Sequence, residues 1–202
     1  MAEQKLDTEI RREQIAEAAL AIVAEQGLRR LSMAAVARRV GLVTSGIYRH
    51  FANKGMMLGA VLDLLEKRMT DNVEAACRET SDPLLQLRGI LLRHVRFIRE
   101  GRAIPRIIFS DDAHSGDPKR KQRISRLILG YAGKLGEIIR RAQQQGKIRP
   151  EVDPQTAALM FFGVIAPAGM LWQLTEGGFD LTKHAQRSWT LFREAIVAKD
   201  PK

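Results

Sequence analysis

Three Asp-Pro pairs, Asp82-Pro83, Asp117-Pro118 and Asp153-Pro154, constrain the folding of this sequence more than any other feature. A residue before proline is pushed out of the helical region, so helices break at these points. The aspartate can accept the orphan backbone N–H groups of a following helix, and proline fits a first helical position. The pairs therefore predict helix starts at residues 83, 118 and 154. Asp180 predicts one more, for a helix ending near Ala198.

Upstream, Ile15, Ala19 and Ile22 share one face of a helix expected over Glu9–Gln26, which Gly27 ends. Ser32 caps a short helix over Met33–Arg39, which Gly41 stops. A third short helix covers Thr44–His50, and Asn53 caps a fourth that reaches about Cys77. A short irregular helix is expected between 100 and 116, with Pro105 near its start. No segment alternates with period two for long. The expected fold class is all-α, about nine helices. An N-terminal three-helix helix-turn-helix domain, residues 1–53, is joined to a C-terminal helical bundle, residues 54–202. The fourth helix begins at this boundary and should couple the two parts mechanically.

The motif that carries function lies between Leu31 and Lys54. Two short helices flank the tight turn Gly41-Leu42-Val43. Ala34, Ala35 and Ala37 are small and allow close helix approach. Val36, Val40, Leu42, Ile47 and Phe51 can form a small core with the first helix. This is a helix-turn-helix pattern. Its third helix would enter a major groove and present Thr44, Ser45, Gly46, Tyr48 and Arg49. Tyr48 and His50 can donate to phosphate oxygens. Lys54 adds charge beside a helix N-terminus that already favours anions. A small-residue helix pair with a glycine turn also serves plain packing, and the residues alone leave that reading open.

Residues 9–58 resemble the DNA-binding domain of the TetR family of bacterial transcriptional regulators. Ile15, Ala18, Ala19, Gly27, Ser32, Val36, Ala37, Val40 and Gly41 match. The most specific stretch is I-Y-R-H-F-A-N-K, residues 47–54, followed by Leu58. The resemblance implies that Thr44, Ser45, Tyr48, His50 and Lys54 contact DNA. It also implies a cytoplasmic, nucleoid-associated homodimer that represses at a palindromic operator and responds to a small ligand. Where the family usually has serine after the turn, this chain has Val43, and the capping role is expected to pass to Thr44.

The net charge of +10 favours a polyanionic partner, yet it is unevenly placed. Residues 88–149 hold 16 Lys+Arg against 5 acids, whereas the first 54 hold 9 against 6. One reading is a hydrophobic or anionic effector, such as a fatty acid or acyl thioester, with Arg93, Arg96, Arg102 and Arg106 at the entrance. The other is a solvated basic face, which charge runs usually are. Candidate pocket residues are His94, Phe97, Phe109, Ile128, Tyr131, Phe162 and Trp172; stripes at helical spacing also serve as ordinary core.

Pro154–Thr175 is the only long uncharged stretch. Its strictly apolar part, Ala157–Trp172, has 16 residues, fewer than the ~20 that span a bilayer. A helix apolar nearly all round must be buried, which suits a partner subunit. The expected dimer interface is Phe161, Gly169, Trp189, Phe192 and Ile196, with no membrane partner. Cys77 stands alone, excluding an intrachain disulfide and suiting a reducing compartment. The polar N-terminus has no signal-peptide core. His50, His94, His114 and His184 are scattered without ligand spacing, and there is no phosphate loop or nucleophile motif. No metal, cofactor or enzyme activity is expected. The rival to a ligand-responsive regulator is an architectural, nucleoid-organising DNA-binding protein without an effector.

Overall fold

The computed structural model describes residues 2–101, Ile107 and 118–198. Its helices are α1 (Ala2–Gln26), α2 (Met33–Arg39), α3 (Thr44–Tyr48), α4 (Lys54–Glu79), α5 (Pro83–Gly101), α6 (Pro118–Gln144), α7 (Pro154–Leu174) and α8 (Leu181–Ile196). A 3-10 turn, Leu28–Arg30, follows α1. Among the described residues there is no strand; Ile148 and Val197 form an isolated antiparallel bridge. The helix expected between 100 and 116, with Arg102, Arg106, Phe109 and His114, lies outside the described residues.

The expected punctuation is made of real hydrogen bonds. Asp82 Oδ1 accepts from the N–H groups of Leu84 at 2.8 Å and Leu85 at 3.3 Å. Asp153 Oδ1 accepts from Thr156 N–H at 2.7 Å, and Asp180 Oδ1 from Lys183 N–H at 2.9 Å. Ser32 Oγ accepts from Ala35 N–H at 3.1 Å, and Asn53 Oδ1 from Met56 N–H at 2.9 Å. Each such cap contributes about 1 kcal/mol. Asp82 also pairs with Lys147 Nζ at 2.6 Å, so this carboxylate serves its helix and a distant loop together.

By its contacts the chain falls into two compact units, Met1–Lys67 with Gly101–Ser125, and Arg68–Glu100 with Arg126–Lys202. In the first, Ile15, Ala19, Val23, Val36, Ile47, Phe51, Met57 and Val61 are fully buried. In the second, Leu87, Ile90, Leu91, Leu135, Ile139, Ala158 and Ile165 form the core.

α7 has two faces. Ala157, Ala158, Phe161, Ile165, Ala168, Gly169 and Trp172 are buried within the chain. Leu159, Met160, Met170, Leu171 and Leu174 are exposed and fall on the opposite side at helical spacing. The whole of α7, 21 residues with a mean hydropathy of 1.7, is long and apolar enough to cross a membrane by length and composition, and 39% of that window is buried in its own chain.

Candidate nucleic-acid interface and effector site

Three helices of the first unit position the candidate interface. α2 ends in a turn where Gly41 has φ +69°, a left-handed conformation costly for residues with a Cβ. Leu42 N–H then donates to Ala37 O at 2.9 Å, closing the turn. Arg39 and Glu25 make a two-pronged ion pair, at 2.7 and 2.5 Å, that ties α2 to α1. Arg12 of α1 lies over the Phe51 ring, 4.4 Å from its centroid, and donates to the His50 carbonyl. This Arg12 clasp escaped the sequence reading. It joins residues about forty apart, and no short motif announces it.

α3 presents an exposed face of Thr44, Ser45, Tyr48 and Arg49. Val43, immediately before it, is 67% exposed and Tyr48 is 53% exposed. Large apolar groups held in water at the tip of a small domain are a contact signal rather than a folding one. Ser32, also exposed, caps α2 as expected.

Four placements refine the expected contact set. Val43 is itself the N-cap residue of α3, with no side-chain cap, so Thr44 does not take over that role. Gly46 is buried; a Cβ there would sit 3.7 Å from Leu42 Cβ, so this glycine lets α3 close on the turn and does not face outward. His50 is half-buried, and its Nδ1 is buried without a hydrogen-bond partner. Burial first, then the nearby Arg12, Arg11 and Arg49 charges, hold its pKa below the ordinary histidine value. Lys54 Nζ donates to Leu28 O at 3.3 Å, so it braces the turn after α1 as well as carrying charge.

In the second unit, α5, α6 and α7 bring together three of the expected pocket residues, His94, Tyr131 and Phe162. Their rings meet edge-on, with centroids 5.8, 6.4 and 6.2 Å apart. His94 Nδ1 lies 3.3 Å from the Tyr131 hydroxyl. Burial pushes the His94 pKa down to about 4 and the Tyr131 hydroxyl upward, so both are neutral at ordinary pH. Ile128 is half-buried one turn before Tyr131. Phe97 lies elsewhere, in a surface groove of about 490 Å³ with Arg68, Arg93 and Arg96. Trp172 backs a groove of about 250 Å³ with Arg99 and Thr182. Arg93 is also paired with Glu79. Phe109 lies outside the described residues.

The expected interface residues Phe161, Trp189, Phe192 and Ile196 are 2 to 8% exposed within the single chain, and Gly169 is buried too. Phe161 packs on Phe192 at 5.6 Å, and Trp189 on Phe192 at 6.2 Å. They join α7 to α8. The apolar side chains these helices leave outside are the α7 stripe and Leu191, which is 69% exposed.

The signature of bacterial regulatory proteins of the tetR family covers residues 15–61, and that of the YsiA-like protein C-terminal region covers residues 62–195. The chain belongs to the TetR family. The family is one of bacterial regulatory proteins. The fatty acid metabolism regulator protein of Bacillus subtilis is 23% identical over 168 residues, covering 83% of this chain and 86% of that protein. Nucleoid occlusion factor SlmA of Haemophilus ducreyi is 23% identical over 187 residues, covering 91% of each. The fold matches that of the Bacillus subtilis regulator FadR, solved in complex with stearoyl-CoA, with a TM-score of 0.76, 22% identity and coverage of 91% and 98%.

Proposed function

We propose that this chain represses transcription as a homodimer that places two α3 helices in successive major grooves of a palindromic operator, and that a long-chain acyl effector releases it. The observation that carries the DNA part is the exposed face of Val43, Thr44, Ser45, Tyr48 and Arg49 on a buried helix-turn-helix core. A helix this short reads few bases, so specificity requires a second half-site. The apolar α7 stripe with Leu191 supplies the surface for the second subunit.

The effector reading rests on the second unit. His94, Tyr131 and Phe162 form a packed aromatic cluster carrying two uncharged hydrogen-bonding groups. Such surroundings suit an apolar chain with one buried polar group, because a buried charge without a partner is costly. The likeness to the fatty acid metabolism regulator of Bacillus subtilis, and to the FadR structure from that organism with stearoyl-CoA, supports the same reading. α4 is one unbroken helix from Lys54 to Glu79, with residues in both compact units. A ligand that favours one position of α4 would change the spacing of the two α3 helices, provided its affinity differs between the states.

Selection of bound duplexes from a random pool at moderate salt tests the reading. A recovered palindrome, released by stearoyl-CoA, supports it. The likeness to a nucleoid occlusion factor sustains a second reading, an architectural protein without an effector. Operator binding indifferent to acyl thioesters and their free acids would favour that one.

A further inference from the structure

Val43 has a place in the helix-turn-helix that folding does not account for. It is 67% exposed, whereas Val36, Ile47 and Phe51 of the same motif are fully buried. It is the N-cap residue of α3 and offers no side-chain acceptor to a first-turn N–H. Serine, threonine, aspartate or asparagine at such a position stabilises a helix, and valine does not. The chain therefore holds an apolar side chain in water where a polar one would serve the fold better. Among the described residues from Leu31 to Asn53, the other large side chain of this kind left exposed is Tyr48, which carries a hydroxyl. Val43 has no polar atom in its side chain.

The backbone around Val43 is well held. Its carbonyl accepts from Gly46 N–H at 2.8 Å. Its Cγ2 methyl lies 3.9 Å from the point where a Cβ on Gly46 would stand, so the buried glycine makes room for it. A β-branched side chain is also stiff about χ1. Val43 thus presents its methyl groups with little rotamer freedom left to lose on contact. It does so next to Thr44 and Ser45, on the exposed side of α3.

We propose that Val43 is a specificity-determining residue that reads a thymine in each operator half-site through the C5-methyl group of that base. The inference rests on the reading of α3 as the recognition helix and goes beyond it by naming the base and the group. A saturated side chain neither donates nor accepts a hydrogen bond. It gains nothing from phosphate oxygens or from the polar atoms of the base edges. The thymine methyl is the apolar group that the major groove displays, and cytosine lacks it. Contact between that methyl and Val43 takes both out of water, which is favourable and roughly proportional to the apolar area covered.

The test uses the full chain and the duplex recovered by selection from a random pool. Each thymine of the half-site is replaced in turn by deoxyuridine, which keeps every donor and acceptor and lacks only the methyl. At one position the parent should bind about fourfold more weakly for each methyl removed. Val43→Ser should be indifferent to the same replacement, and Val43→Ile should remain sensitive to it; the cycle isolates the contact between side chain and methyl. Both variants change an exposed side chain, so melting temperatures at or above the parent's are expected. If a palindrome is recovered but no deoxyuridine weakens the parent, the proposal is overturned and the α3 reading stands. Equal losses in the parent and in Val43→Ser also overturn it, because the methyl is then read by another group or felt through the stiffness of the duplex. If selection recovers no preferred sequence, the α3 reading fails and this inference fails with it.

Discussion

The Nδ1 atom of His94 lies 3.3 Å from the hydroxyl of Tyr131, and the two side chains are only 3% and 4% exposed. Burial holds the His94 pKa near 4 against an ordinary 6.5. Between those values the unfolded chain binds a proton that the folded chain refuses. Stability must therefore rise with pH across this window, be complete above 6.5, and fall away as the solution is acidified towards 4. The largest contribution is about 3 kcal/mol. Urea unfolding at several pH values should show this slope in the parent and a much smaller one in His94→Leu. That variant will be less stable at neutral pH, because it leaves the Tyr131 hydroxyl without its partner. An undiminished slope in His94→Leu would mean that His94 is not held neutral by burial.

Arg12 makes a second prediction, in the other unit. Its guanidinium covers Phe51 and donates to the His50 carbonyl. Arg12→Met keeps the aliphatic stem and removes the rest, at a cost of about 1 to 2 kcal/mol. The same change removes one of the charges that depress His50. An NMR titration should show the His50 pKa moving upward, toward the ordinary histidine value. A downward movement would contradict the geometry.

The parts legible in the sequence were those with a local physical cause. Caps, proline positions and Gly41 follow from backbone sterics within four residues, and the helices starting at Pro83, Pro118 and Pro154 began where such signals stood. Gly46 shows the limit. A glycine in a recognition helix suits close approach to DNA or close approach to its own turn, and only the fold shows that it faces Leu42. α7 shows another. A helix apolar on every side has no periodic direction, so the sequence could not say which face packs at home. Phe161, Trp189 and Phe192 pack on one another across the α7–α8 contact of the single chain, a pairing that spacing does not announce. Pairings such as Arg12 with Phe51 depend on the tertiary fold and leave no trace in spacing.

The recognition helix should respond to its missing cap. Val43 is the N-cap residue of α3 and supplies no side-chain acceptor. Val43→Ser should stabilise the first unit by about 1 kcal/mol, by satisfying a first-turn N–H. Because Val43 is also 67% exposed beside Thr44, the change should alter operator preference as well as stability. Thermal melts and a repeated selection from random duplexes would separate the effects. Tyr48→Ala should abolish selection of any sequence while leaving the melting temperature within a degree or two, since surface side chains contribute little to folding. Normal operator binding by Tyr48→Ala would place the reading face elsewhere.

The dimer surface can be tested apart from DNA. Met160 and Leu171 are 56% and 43% exposed on the outer face of α7, whereas Trp189 is 8% exposed and packs within the chain. A charge at Met160 costs the monomer almost nothing, because the site is already in water there. In a dimer that covers the stripe, the same charge is desolvated without a partner, which is strongly unfavourable. Met160→Glu should therefore sediment as a folded monomer, with the parent's helical content and thermal melt measured at low concentration. Its operator affinity should collapse, since one α3 helix per particle reaches only a half-site. Trp189→Glu should behave differently and unfold the α7–α8 pair outright. If Met160→Glu remains dimeric and binds its operator as the parent does, the subunits meet through another face.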